Sequence, residues 1–183
     1  GSGGDSGGTR GGGEGSAETQ AVRVLTTTEE TVFQAVRKLS TQASNRLLLS
    51  HLQVIVISRE AAEQGIYDFI DFFARDPEPR LDIRVLVAEK EAGEIMRHPV
   101  GVKSIPALCL YRAVQTAALN ALAPDITMQE ANIRLASETI ELIAPIAKLY
   151  QEKGVSGVTK TRIDIDGTAV FRGDKMVGKL NHR

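Results

Sequence analysis

The sequence predicts a mixed α/β and α+β protein: an N-terminal mixed sheet with covering helices, then a smaller α+β domain ending in a β-hairpin. Two apolar runs, Val54-Ile55-Val56-Ile57 and Val85-Leu86-Val87, each adjoin a segment with helical spacing of apolar residues. Short links join these segments, the pattern of a parallel or mixed sheet. From Thr139 onward the spacing becomes alternating and closes on the turn Gly173-Asp174-Lys175.

The elements follow in order. Residues 1–16 hold nine of the 17 glycines, together with Ser2, Ser6 and Ser16, and no large apolar side chain. Such a tract buries too little surface to offset its ordering entropy, so it is expected to be flexible. Gly1-Ser2 has the look of a cloning remnant. Residues 22–25 read as a short strand. Thr27 with Glu30 three residues later makes a capping box, predicting a helix start there. Val32, Phe33, Val36, Leu39 and Ala43 then carry a helical stripe to about Ser44. Residues 47–57 read as a strand buried on both faces, and Ser58 as the cap of the next helix. That helix has the stripe Ala62, Ile66, Phe69, Ile70 and Phe73, is divided by Gly65, and ends at Asp76-Pro77-Glu78-Pro79. Leu81, Ile83, Val85 and Val87 alternate with Asp82 and Arg84 in a third strand, and residues 89–97 form a short helix. These elements make a first domain over 17–103.

A second domain is expected over 104–183. Residues 105–123 read as one helix with Leu108, Tyr111, Ala118 and Leu122 inward, and Asp125-Ile126-Thr127 starts a shorter one. Pro145 fits an edge strand or a bulge. Residues 159–171 alternate Ile163 and Ile165 against Asp164 and Asp166, and 176–180 form the last strand.

Composition narrows the chemistry. A net charge of −1, with no Lys/Arg cluster, argues against a nucleic-acid surface. Cys109 is the single cysteine, which excludes an intrachain disulfide and a zinc quartet. No apolar run reaches the length of a membrane span.

The motifs that suggest enzymes each lack a necessary part. Asp164-Ile165-Asp166-Gly167-Thr168 matches the aspartyl nucleophile loop of Mg-dependent haloacid-dehalogenase-type phosphatases. Its downstream Lys and acidic metal ligand have too little chain to follow in, and a hairpin replaces the required helix. Wet-face aspartates on a strand are the commoner explanation. From Gly173 to Gly178-Lys179 the spacing is that of a phosphate loop, but Leu180 stands where Ser or Thr must hold Mg²⁺. Ser50 and His51, as neighbours on a strand, would point to opposite faces. His51, His98 and His182 are scattered without metal-ligand spacing, and Cys109 between Leu108 and Leu110 suits a small buried hydrophobe. Asp68 and Asp71 share one helix face, where they are either solvated or part of an interface. No catalytic, cofactor-binding or metal-ligating set is therefore expected.

The residues Ser50-His51-Leu52, the Ile/Val strand, Gly65-Ile66, Asp71-Phe72-Phe73, Arg75-Asp76-Pro77-Glu78 and Leu86-Val87-Ala88 resemble the central signature of the C subunit of bacterial spore germinant receptors, a family of spore germination lipoproteins. Gly167-Thr168-Ala169-Val170-Phe171 with Asp174-Lys175-Met176-Val177-Gly178 and Leu180-Asn181 resemble a second block of that family. The resemblance implies a non-enzymatic subunit, lipid-anchored on the outer face of the spore inner membrane. It would assemble with a membrane-spanning A subunit and a transporter-like B subunit in nutrient sensing. It also implies a leader, a lipid-modified cysteine, a strand ahead of the Gly/Ser-rich loop and a third domain. None of these is seen in this sequence, so a fragment truncated before the third domain is expected. With its neighbour missing, the strand at 22–25 is expected to leave an open edge that favours association between chains. Arg46, His51, Arg75, Asp76 and Arg80, the polar residues attached to the signature, are the candidate contact surface for receptor assembly. The alternatives are a small-ligand-binding module that senses the germinant and, more remotely, the Mg-dependent phosphatase.

Overall fold

Val54-Ile55-Val56-Ile57 form the first strand, β1 (Val54–Ile57), and lie beside β2 (Arg84–Ala88) in parallel register, Val54 opposite Arg84 and Ile57 opposite Val87. The computed structural model describes residues 24–43, 49–76, 82–97, 105–153 and 159–181. β3 (Ile143–Lys153) runs parallel to β2, with Val87 opposite Ile146; β4 (Thr159–Arg172) and β5 (Lys175–Leu180) continue antiparallel. Among the described residues the result is one five-stranded mixed sheet in chain order, so segments 17–103 and 104–183 share a sheet through the β2–β3 pairing. The mixed α/β and α+β character with its terminal hairpin is observed.

Helices cover both faces. Six are described: α1 (Val32–Gln42), α2 (Arg59–Gln64), α3 (Tyr67–Arg75), α4 (Ala92–Arg97), α5 (Pro106–Leu119) and α6 (Met128–Leu135). On one face Ile55, Ile57, Val85, Val87, Ala144 and Ile146 meet Ala62, Ile66, Ile70 and Phe73 of the α2–α3 segment, with Met128 and Ala131 of α6. On the other, Val54, Leu86, Ala88 and Ala147 meet Ile95 of α4 and Leu110, Val114 and Ala117 of α5. This is the period-two division of side chains along strands, with both faces buried. Leu86 is as buried as Val85 and Val87, as a strand covered on both faces requires.

Several local expectations shift. Val24 and Leu25 belong to no strand, and Val22 and Arg23 lie outside the described residues. The open edge expected at 22–25 is thus not found at Val24-Leu25; among the described strands the outer positions are held by β1 and β5. The cap of α1 is Thr31, whose Oγ1 accepts the Gln34 N–H at 3.2 Å, while Thr27 Oγ1 bonds Glu29 instead. Of the strand expected at 47–57, Leu47 and Leu48 lie outside the described residues, and among the rest Val54–Ile57 pair. Leu49–His51 make a 3-10 turn closed by Leu52 N–H on Leu49 O at 3.0 Å, because β2 begins at Arg84 and offers no ladder further upstream. Ser50 and His51 therefore sit in a turn, not on a strand.

Gly65 does divide the helical stripe, at φ +133°, a conformation that side chains rarely adopt. The buried residues of α5 are Pro106, Leu110, Val114 and Ala117; of the four expected inward, Tyr111 packs partly buried against the same core, Ala118 is intermediate, and Leu108 and Leu122 are exposed. Pro106 opens the helix, its fixed φ suiting the first turn. α6 opens on a capping box between Thr127 and Glu130. Pro145 lies in a central strand beside a bulge, not on an edge.

That bulge explains the aspartate motif. Pro145 pairs with Thr168 and Ala147 with Ile165, so the single residue Ile146 of β3 faces two of β4, Asp166 and Gly167. The extra residue falls at Asp166-Gly167, and Gly167 has φ +93°. Beyond it the strand's inward residues change face: Ile165 joins the α5 side, and Ala169 and Phe171 the α3 side.

Candidate functional site

The carboxyl ends of β1 and β2 form a cleft. Ser58 follows β1 and Glu89 follows β2, and the two loops are tied together. Arg59 N–H donates to Lys90 O at 2.9 Å, and Ser58 Oγ accepts the Ala92 N–H at 3.2 Å. Ser58 thus precedes α2 as expected, but its hydroxyl serves the start of α4 and not its own helix. The cavity above, about 810 Å³, is lined by Ser58, Arg59, Glu60, Glu63, Glu89, Lys90 and Glu91. Open parallel sheets commonly hold ligands at this end. Here several of the lining side chains are already engaged. Arg59 Nε meets Glu63 at 2.7 Å, Gln64 reaches Glu60 at 3.4 Å, and Glu89 Oε1 accepts from Lys179 at 3.1 Å.

Behind Glu89 the charges continue inward. Lys148 of β3 is only 11% exposed at its side chain, with its ammonium 2.9 Å from Asp166 Oδ2 and 3.9 Å from Glu89 Oε1. Burial alone pulls the lysine pKa down. The hydrogen bond and charge of Asp166, supported by Glu89 and Tyr150, outweigh it and hold the pKa above the ordinary 10.5. A lysine held charged does not act as a nucleophile. Asp166 is thereby a counter-ion, and Asp164 contacts Arg162 at 3.3 Å.

Because the folded pKa of Lys148 is raised, its stabilising contribution is present below 10.5 and lost as pH rises through the elevated folded value. Lys148→Met is expected to melt below the wild-type chain at neutral pH, with the gap closing in strong alkali. Thermal melts of both proteins across that range check this, and a gap independent of pH would contradict it.

The other surface surrounds α3. Arg75 is 76% exposed and bonds Asp71 Oδ2 at 2.8 Å, a contact that raises its pKa. Asp76 ends the helix, donating its N–H to Phe72 O at 3.2 Å. A shallow groove of about 520 Å³ is lined by Asp68, Asp71, Phe72, Arg75 and Asp76. Exposed Phe33 of α1 stands edge-on to Phe72, ring centroids 6.3 Å apart. Of the expected contact residues, Arg75 and Asp76 share this groove. His51 is exposed in its turn and does not line it, while Arg46 and Arg80 lie outside the described residues.

The Lys148 network went unseen in the sequence, although a lysine inside the run 143–149, otherwise apolar, already implies a buried partner. Arg84 was likewise missed as a brace: it meets Asp125 at 2.6 Å and stacks over Tyr111 at 5.1 Å. Among the described residues no group of three or more His, Cys, Asp or Glu could hold a metal ion, and no helix is long and apolar enough to cross a membrane.

Fold and surfaces together define an α/β domain whose sheet is covered on both faces. The family model described as the spore germination protein N-terminal domain matches residues 3–149, and the chain belongs to that family. It is 28% identical over 151 residues to a protein named putative spore germination protein YfkR of Bacillus subtilis (strain 168), covering 80% of this chain and 37% of that protein. The crystal structure of the GerBC protein aligns with a TM-score of 0.47 at 17% identity, covering 80% of this chain and 39% of that one. The chain thus spans well under half the length of either relative. The family agrees with the resemblance to germinant-receptor C subunits carried by the two sequence blocks.

Proposed function

We propose that this chain is a non-enzymatic part of a spore nutrient germinant receptor, needed for receptor assembly and germination signalling. The reading rests chiefly on membership of the spore germination family over residues 3–149. In that reading the full-length protein is lipid-anchored on the outer face of the spore inner membrane and works with the A and B membrane subunits. The two-domain division at 103/104 remains part of the proposal, with the shared sheet as its rigid link.

The paired charges support docking over catalysis. Asp164, Asp166 and Lys148 are engaged with one another or with Arg162, so the aspartate motif serves a bulged strand. Docking is also preferred over germinant sensing, since Ser58, Arg59, Glu63 and Glu89 of the cleft are committed to ion pairs and loop ties.

The proposed contact surface is the Arg75–Asp76 end of α3 with His51, Arg46 and Arg80. In the full-length subunit, combined charge reversal at Arg75, Asp76 and His51 is expected to lower co-purification with the A and B subunits by about tenfold. Germination rate should fall in parallel. Reversal at Arg46 and Arg80 extends the test. If recovery and germination stay at wild-type levels while only the melting temperature drops, Arg75 and Asp76 merely finish a helix, and the surface is wrongly placed.

A further inference from the structure

The outward side of α5 does not look like an ordinary wet helix face. Ile105, Leu108, Arg112, Thr116 and Leu119 recur on it at spacings of three and four, all exposed, while Leu110, Val114 and Ala117 are buried against the sheet. Ile105 is 41% exposed, Leu108 38% and Leu119 88%. Directly beyond the helix, Leu122 is another 38% exposed.

The backbone holds this last leucine in place. Leu122 N–H reaches back to Ala117 O at 2.8 Å and Ala121 N–H to Ala118 O at 3.0 Å, with Ala121 at φ +55°. That is a Schellman termination with alanine at the left-handed position usually given to glycine. Leu119 and Leu122 flank this turn, both exposed, as an apolar knuckle.

Charge separates this face from the rest of the molecule. The chain has 23 Asp and Glu, yet residues 95–124 contain none, and the charged side chain on the stripe itself is Arg112. A second copy of the chain is a poor occupant. Arg112 lies midway between Ile105 and Leu119, so pairing two copies of the stripe, parallel or antiparallel, sets Arg112 against Arg112. An acidic, apolar-cored surface suits both features: leucines dip into the acyl boundary and Arg112 stays among phosphates.

We propose that the outer face of α5, with the Leu119–Leu122 knuckle, is a docking surface for an anionic lipid bilayer, on which the domain lies without crossing it. This adds a direct membrane contact to the proposed function. Its test uses lipid alone, so failure would leave the receptor-assembly reading untouched.

The test is co-sedimentation of the 183-residue chain with vesicles of phosphatidylcholine, or of an equal mixture of phosphatidylcholine and phosphatidylglycerol. The wild-type chain should bind the mixed vesicles, less so at high salt, and bind phosphatidylcholine weakly. Leu119→Ser with Leu122→Ser should reduce partitioning about tenfold, and Arg112→Glu about fivefold. Val177→Ser, an exposed apolar change on β5, should leave it unchanged. Matching thermal melts would show that each variant folds. The proposal is overturned if wild-type chain ignores anionic vesicles or if the double-serine variant binds like wild type. It is equally overturned if the knuckle changes only dissociate a protein dimer.

Discussion

Phe171→Ala is expected to lower the unfolding free energy by about 3–5 kcal/mol, the cost of removing a large, fully enclosed aromatic ring. Phe171 is 1% exposed and lies opposite Met176 across the final hairpin, and its N–H bonds Leu142 O at 3.0 Å. It belongs to the same core as Ile66 and Ile70 beneath α3 and Met128 of α6. The ring therefore joins the hairpin to helices from both halves of the chain, and no single element can close over the void left by alanine. Urea unfolding measures the loss. Phe171→Leu, which keeps most of the volume, should cost under about 1.5 kcal/mol. An alanine variant within that smaller range would mean that the hairpin is not seated on this core.

Gly167→Val should cost about 3 kcal/mol or more, for two separable reasons. Its φ of +93° lies where a β-branched residue is strained, and an added Cβ would stand 2.8 Å from the backbone carbonyl of Leu180. Backbone cannot swing aside as a side chain can, so β5 must move. Hydrogen exchange should accordingly quicken first in Lys175–Leu180. Asp164→Asn, by contrast, should stay within about 0.5 kcal/mol of wild type, because among the described residues its ion pair is with exposed Arg162. The pair of variants separates the two meanings of the motif. A bulge depends on its glycine, a phosphatase loop on its first aspartate.

Much of the chain was readable where a local rule operates alone. Strands over Val54–Ile57 and Arg84–Ala88 follow from β-branched runs, the break at Gly65 from glycine, and the last hairpin from Gly173-Asp174. Misreadings arose where a distant partner decides. Thr27 and Thr31 both offer a capping hydroxyl, and only packing of Val32 and Val36 on the core selects the second. On α5, leucines occur on both sides, so helical spacing alone could not say which stripe faces the sheet. Lys148 gave no motif because its partners Glu89 and Asp166 are remote in sequence.

By itself the sequence determined the mixed α/β character, the order of most elements and the family, since these rest on short-range periodicity and on motif order along the chain. Only the tertiary structure decided that β3 joins β2 in one sheet, that the aspartates belong to a bulge with Lys148 as counter-ion, and which side of α5 is left bare. Those outcomes depend on pairing register and burial between residues far apart in the chain, and periodicity within a segment carries no record of its neighbours.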